Sequence, residues 1–213
     1  LFHYYGLTEA SRSTFICFND HPDKISSVGR PMNHASISIL DETGVAISTP
    51  GRVGQIAISG TAVFRGYWGD STSSEEALHC GSLKSGDLGF LDEDGFLFLV
   101  GRIGDTINVD GLKFHPSEVE KIILEISDVS DVGVAAVRNE KEAAGLTVIA
   151  LVVARSGTEM NPENLRAYCA SKLRRFKIPK IYKFVKEIPR FPSGKVDRKL
   201  LEALAQTPDC CRK

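Results

Sequence analysis

A change of hydrophobic pattern near Gly101–Asp105 limits more than any other feature how this sequence can fold. Before it, short strand-like stretches of alternating apolar and polar residues are separated by glycine-rich turns, and the turn "DEDG" (92–95) predicts a hairpin. After it, amphipathic helical patterns alternate with apolar strands. We predict a mixed α+β chain, with an antiparallel β-barrel-like part over 1–101, a small α+β domain over 102–205 and a tail at 206–213.

The start of the chain predicts a strand over "LFHYYG" that ends at Gly6, followed by a loop or helix start over "LTEASRSTF". In the second part, "HPSEVEKIILEISDV" predicts a helix with Pro116 in its first turn, and "NPENLRAYCASKL" predicts another with Asn161 as its N-cap. The apolar run "GLTVIALVVA" predicts a buried strand.

Composition excludes several classes of protein. The formal net charge of −1 among 213 residues carries no global field that would attract nucleic acid. The longest apolar run is shorter than the roughly 20 residues that cross a bilayer as a helix. The five cysteines include no C-x-x-C pair, which indicates reduced thiols and a cytoplasmic protein.

The stretch "YYGLTEAS" brings an aromatic ring, a glycine, a hydroxyl and a carboxylate together at a strand end. Tyr5 suits stacking on a base, Thr8 a hydrogen bond to phosphate, and Glu9 a Mg²⁺ ion, which prefers oxygen ligands. A plain turn before a helix, with Glu9 facing the helix dipole, explains the same residues equally well. Taken alone, the stretch leaves both interpretations open.

Asp87, flanked by glycines in "SGDLG", suits two hydrogen bonds from a ribose diol, and Arg102 at the end of the next strand suits a phosphate or ribose contact. A turn aspartate and a solvated arginine are the simpler interpretations of each. Lys195, in "PSGKVDR", suits stabilisation of charge on a phosphate, yet an isolated loop lysine is more often an ordinary surface residue. The loop lacks the spacing of a P-loop.

The order of seven short motifs decides between these interpretations. "YYGLTE", "GRP", "GQIAISG", "FRGYW", "SGDLG", "GRIGDTINVDGLKFHPSEVE" and "PSGKVDRK" follow one another as in the adenylate-forming enzymes, which the chain resembles over nearly its whole length. Within that superfamily, "FHPSEVE" and "PSGKVDRK" look most like acyl-CoA synthetases or acyl-carrier-protein ligases. The resemblance implies ligase activity in two steps: a carboxylic acid and ATP give an acyl-adenylate and pyrophosphate, and a thiol then displaces AMP.

The resemblance also implies roles for individual residues. Tyr5, Gly6, Thr8, Asp87 and Arg102 would bind the nucleotide, and Glu9 would hold Mg²⁺. The implied cofactors are therefore ATP or AMP, Mg²⁺, and CoA or the phosphopantetheine of a carrier protein.

In the C-terminal domain, Lys195 would be the catalytic lysine of adenylation. Gly104 and Asp105 would form a hinge about which the domain rotates, and Gly111 and Lys113 would face the thiol. Gly104 replaces the Asp or Lys that is usual at the hinge, and Lys113 replaces a common Arg, which keeps the charge without the planar fork of donors.

The phosphate loop and most of the acyl pocket of the family precede "YYGLTE" and are not among these residues. The resemblance thus implies the C-terminal portion of an acyl-CoA synthetase, inactive alone, whose missing N-terminal portion belongs to the same chain or a separate one. A fragment of an acyl-carrier-protein ligase or peptide-synthetase adenylation domain is one alternative. A non-catalytic nucleotide-binding or interaction module is another.

Overall fold

The computed structural model describes residues 1–139, 145–158, 160–192 and 194–207. The chain divides into two compact units, Leu1–Gly104 and Asp105–Lys213. Most of the tail predicted at 206–213, from residue 208 onward, lies outside the described residues. The predicted mixed α+β class is confirmed, with β-strands dominating the first unit and helices packed on a sheet in the second.

The first unit contains eight described strands and one short helix. These are β1 (Phe2–Leu7), β2 (Ala10–Cys17), β3 (Arg30–Pro31), β4 (Ala35–Leu40), β5 (Gly54–Gly60), α1 (Ser71–Ala77), β6 (Leu78–His79), β7 (Ser82–Leu91) and β8 (Leu97–Arg102).

Two antiparallel sheets form this unit. One has the order β1-β2-β3, and in the other β4 pairs with β5 while β7 pairs with β5, β6 and β8. Residues of both sheets share one apolar core, which includes Tyr5, Ala10, Ile56, Ile58 and Leu97. The described strands do not close either sheet into a barrel, so the predicted barrel-like part is a pair of open sheets.

The segment after β1 differs from the prediction. "LTEASRSTF" is neither a loop nor a helix start, because Ala10–Cys17 is strand β2 and only Thr8 and Glu9 form the turn. Ser13 and Thr14 are fully buried there, and their hydroxyls donate to the carbonyl oxygens of Ala10 and Val28. Buried hydroxyls with backbone acceptors are compatible with a sheet. The sequence pattern did not indicate a strand here because these residues are polar.

The second unit contains the remaining described elements. These are β9 (Ile107–Val109), β10 (Leu112–Phe114), α2 (Pro116–Leu124), β11 (Val129–Arg138), β12 (Leu146–Ala154), α3 (Pro162–Lys172), β13 (Ile181–Phe184) and α4 (Arg198–Gln206). The predicted helix starts at Pro116 and Pro162 are confirmed, with His115 and Asn161 as N-caps. The first of these helices ends at Leu124, earlier than the predicted stretch.

The central sheet of this unit has the order β11-β12-β13, with β12 antiparallel to β11 and parallel to β13. Val148, Ala150 and Val152 of β12 share a core with α2 and α3, while Ile149 and Leu151 share another with α4. Successive side chains of a strand point to opposite faces, so a strand covered on both faces is apolar throughout. This explains the continuous run "LTVIALVVA".

The helices of the described residues are short. The longest, α3, has 11 residues, and none of the described helices combines the length and apolarity that a membrane span requires.

Candidate functional site

Three side chains that the sequence singled out meet in the first unit. The Tyr5 hydroxyl donates to Asp87 Oδ2 at 2.7 Å, and Arg102 Nε donates to Asp87 Oδ1 at 3.0 Å. Tyr5 is 8% exposed, whereas the side chains of Asp87 and Arg102 are 13% and 57% exposed. Burial, followed by the hydrogen bond to Asp87, raises the pKa of Tyr5, so the phenol remains a neutral donor.

A β-bulge decides which residue faces Asp87. The pairing of β7 with β8 starts at Leu91 opposite Leu97 and shifts by one residue between Leu88 and Gly89. The shift puts Arg102 opposite Asp87, whereas an unbroken register would have put Gly101 there. The simpler interpretation of Asp87 as a turn residue is wrong, because the residue lies inside β7 and its carboxylate binds distant side chains rather than its own backbone.

A serine on the same strand links the backbone of Asp87 to the adjacent strand β5. Ser85 Oγ accepts the Asp87 N–H at 3.1 Å and donates to the carbonyl oxygen of Ile56 at 2.9 Å. This serine was not among the residues that the sequence singled out, because its bond to Ile56 requires that β5 and β7 be paired.

The other residues that were predicted to bind the nucleotide or its metal ion lie on the β1–β2 hairpin. Thr8 and Glu9 form the turn, where Thr8 is exposed and Glu9 is half-buried. The strand register shifts between Tyr5 and Leu7, so Gly6 occupies an irregular position. A Cβ on Gly6 would lie 2.5 Å from the backbone nitrogen of Arg12, too close for any larger residue without movement of the backbone.

Glu9 is the predicted magnesium ligand, and its carboxylate accepts a hydrogen bond from a tyrosine side chain. The Tyr67 hydroxyl donates to Glu9 Oε1 at 2.8 Å, a contact that the sequence did not predict. Across the described residues, no group of three or more His, Cys, Asp or Glu side chains is arranged to hold a metal ion. One carboxylate fits Mg²⁺ that arrives with substrate phosphates, because such ions are usually held by one or two carboxylates plus phosphate oxygens.

Lys195 lies on a tight turn in the second unit. Arg190 and Val196 form an antiparallel bridge across the turn, and the Phe191 N–H donates to the Lys195 carbonyl oxygen at 2.8 Å. Gly194 has a φ of +82°, which favours glycine. The backbone of Lys195 is thus held while its side chain is exposed.

The predicted hinge and thiol-side residues have contrasting surroundings. Gly104 belongs to a single 3₁₀ turn, Ile103–Asp105, and a Cβ there would meet nothing within 4 Å. Asp110 and Gly111 both have positive φ and form the tight turn between β9 and β10, with Lys113 exposed on β10. An Asp-Gly pair is a preferred sequence for such a hairpin turn.

An ion-pair network joins Asp105 to α2 and α4 inside the second unit. Arg198 Nη1 donates to Glu120 Oε1 at 2.6 Å, and Arg198 Nε lies 3.5 Å from Asp105 Oδ2. Glu120 also accepts the Val134 N–H at 2.9 Å. Burial opposes the charge of Arg198, but the hydrogen bond and charge of Glu120 outweigh it and raise the pKa of the guanidinium.

Comparison with known families agrees with the resemblance. Residues 1–68 match the model of the AMP-binding enzyme family, and residues 118–195 match the model of the AMP-binding enzyme C-terminal domain. The chain belongs to the adenylate-forming, AMP-binding enzyme superfamily. By family it is therefore an enzyme. The first match includes Tyr5, Thr8 and Glu9, and the second ends at Lys195.

Among curated relatives, the chain is 35% identical to a long-chain-fatty-acid–CoA ligase of Bacillus subtilis, over 93% of this chain and 35% of the relative. It is also 35% identical to a 2-succinylbenzoate–CoA ligase of Geobacillus kaustophilus, over 94% of this chain and 40% of the relative. The chain thus spans well under half the length of these relatives.

Solved structures of adenylate-forming enzymes are also similar. ATP-bound MatB from Rhodopseudomonas palustris matches with a TM-score of 0.88 and 29% identity, over 96% of this chain and 40% of that one. The amide bond synthetase McbA from Marinactinospora thermotolerans matches with a TM-score of 0.87 and 32% identity, over 95% and 42% of the two chains.

Proposed function

We propose that the complete protein is an AMP-forming acyl-CoA synthetase. It joins a carboxylic acid to ATP, releasing pyrophosphate, and transfers the acyl group from AMP to the thiol of CoA. The observation that carries this proposal is the cluster of Tyr5, Asp87 and Arg102, which the resemblance assigns to nucleotide binding and which meets through hydrogen bonds. The names of the curated relatives support a CoA ligase.

In this proposal the first unit binds the nucleotide. An ionised carboxylate offers about four lone-pair sites, so Asp87 can accept two ribose hydroxyls while it keeps Tyr5 and Arg102 as donors. Tyr5 and Gly6 line the base, and Thr8 donates to the α-phosphate. Glu9 holds Mg²⁺, which, when bound, neutralises charge on the phosphates.

The second unit acts on the reacting groups. We assign residues 1–101 to the end of the AMP-binding domain, 102–205 to a mobile C-terminal domain and 206–213 to a tail. Lys195 orients the carboxylate and the α-phosphate, Gly104 and Asp105 form the hinge, and Gly111 and Lys113 lie on the thiol side. Cytoplasmic location belongs to the same proposal and is supported by the cysteine pattern.

The acceptor has two candidates besides CoA. A carrier-protein phosphopantetheine presents the same thiol chemistry. An amine is the second candidate, because the chain is similar to McbA, an amide bond synthetase. Transfer assays with CoA, a carrier protein and an amine, run side by side from one acyl-adenylate, distinguish the three.

We expect Asp87→Asn to weaken AMP binding by roughly tenfold, since hydrogen bonds to a charged group contribute about 1.5–3 kcal/mol and only part is lost. The amide keeps one acceptor oxygen for Tyr5. The sharper readout is the ratio of affinities for AMP and 2′,3′-dideoxy-AMP, measured by calorimetry. The wild type should prefer AMP, and the variant should lose most of that preference.

Glu93→Gln is the matched control, because Glu93 is an exposed carboxylate on the β7–β8 turn. Its preference for AMP should equal that of the wild type. If Asp87→Asn keeps the full preference, Asp87 does not bind the ribose hydroxyls and the proposed nucleotide site is wrong.

A second prediction concerns residues 1–213 by themselves. The phosphate loop of the family is not among them, so we expect no robust acyl-CoA formation from ATP, CoA and a panel of fatty acids. The complete enzyme serves as the positive control under the same conditions. Acyl-CoA formation at a comparable rate by residues 1–213 would show that the upstream phosphate loop is dispensable.

A further inference from the structure

The segment between β5 and α1 holds Glu9 at two points. The Phe64 N–H donates to the carbonyl oxygen of Glu9 at 2.8 Å, and the Tyr67 hydroxyl donates to its carboxylate at the same distance. The ring of Phe64 packs edge-to-face on the ring of Tyr67, with centroids 4.8 Å apart. The backbone and the carboxylate of Glu9 are thus both bound to one short segment, and the Phe64 ring packs on the tyrosine that binds the carboxylate.

Tyr67 is itself held in place from its other side. Its N–H donates to Ser74 Oγ at 2.8 Å, and it forms a bridge with Asp70, whose carboxylate caps α1. The next residue, Trp68, is fully exposed. The hydroxyl of Tyr67 therefore reaches Glu9 from a braced backbone, although the tyrosine lies at the surface of the unit.

A bond of this kind matters for a metal ligand. A glutamate side chain has several rotamers, and a donor on Oε1 restricts them while leaving Oε2 open. Mg²⁺ demands near-octahedral geometry, so a pre-oriented ligand binds it better than a mobile one. We propose that Tyr67 is a positioning residue that orients the Glu9 carboxylate for the divalent cation accompanying the nucleotide. This inference rests on the proposed function of Glu9.

The experiment measures how much Mg²⁺ strengthens ATP binding to the complete protein. Calorimetry with ATP in Mg²⁺ and in EDTA yields a ratio of affinities, and AMP in EDTA yields binding without the metal. Loss of partners that hydrogen-bond to metal ligands typically costs 10–100-fold in metal affinity. We expect Tyr67→Phe to reduce the Mg²⁺ ratio by about tenfold and to leave AMP affinity unchanged. A merely structural role would instead lower AMP affinity and leave the ratio intact.

Tyr168→Phe is the matched control, because Tyr168 donates to Glu125 Oε2 at 2.8 Å, the same bond type and length, in the second unit. It should leave the Mg²⁺ ratio unchanged, and Glu9→Gln should abolish the Mg²⁺ effect. If Glu9→Gln abolishes it and Tyr67→Phe does not reduce it, the positioning role is wrong while the proposed function stands. If the wild type shows no Mg²⁺ effect, the metal role of Glu9 is wrong and the inference falls with it.

Discussion

Lys195→Ala in the complete enzyme is expected to lower the rate of acyl-adenylate formation by about 10²–10³, the usual cost of losing one preorganised donor at developing charge. The turn fixes the backbone of Lys195 through the Phe191–Lys195 hydrogen bond and leaves the ammonium group exposed. An exposed cation on a held backbone is suited to reach a phosphate. Carboxylate-dependent exchange of labelled pyrophosphate into ATP measures the step directly.

The two half reactions separate this role from a general loss of structure. Thioester formation from a synthetic acyl-adenylate should stay near the wild-type rate in Lys195→Ala, because the proposed mechanism uses the lysine only in adenylation. Lys199→Ala, a neighbouring exposed lysine on α4, should affect neither step. Lys195→Gln mimics acetylation and should resemble the alanine variant. Adenylation within threefold of wild type in both Lys195 variants would remove the lysine from the mechanism.

Arg198→Met is expected to destabilise the second unit by about 3–5 kcal/mol, because it leaves the Glu120 charge without its partner. The side chains of Glu120 and Arg198 are only 13% and 23% exposed, so water replaces the lost ion pair poorly. Hydrogen exchange of the β11 and β12 amides, followed by mass spectrometry, reports the stability of this unit. Hydrogen exchange of the β5 and β7 amides reports the other unit in the same experiment.

A second substitution tests whether the stranded charge is the cause. Glu120→Gln removes the charge and keeps an acceptor for the Val134 N–H, so the double variant should be more stable than Arg198→Met alone. Arg174→Met, at an exposed arginine, should change stability by less than about 0.5 kcal/mol. Equal destabilisation of the single and double variants would mean that packing of Arg198, and not its charge, stabilises the unit.

Local signals predicted much of this fold correctly. Pro116 and Pro162 mark helix starts, and "DEDG" marks the β7–β8 hairpin, because caps and tight turns are decided by a few adjacent residues. The wrong prediction of a loop or helix start at β2 arose because this strand depends on contacts between residues far apart in the sequence. Ser13 and Thr14 are compatible with burial only because carbonyl oxygens at Ala10 and Val28 accept from them, and the second acceptor lies 14 residues away.

The candidate site was predictable as a set of residues but not as an arrangement. The order of the motifs named Tyr5, Asp87 and Arg102, yet a count along the hairpin would have placed Gly101 opposite Asp87. The bulge between Leu88 and Gly89 shifts the strand register by one residue. The sequence does not predict this shift, because no turn residue marks its position.

The sequence by itself determined the superfamily, the two-part pattern and the starts of the helices, because each depends on residues in order along the chain. Only the tertiary structure decided which donors meet each carboxylate. Tyr5 lies 82 residues from Asp87 and Tyr67 lies 58 residues from Glu9, so both bonds exist only after the sheets have paired. Hydrogen bonds act over about 3 Å, and such distances between remote residues are set by packing rather than by sequence order.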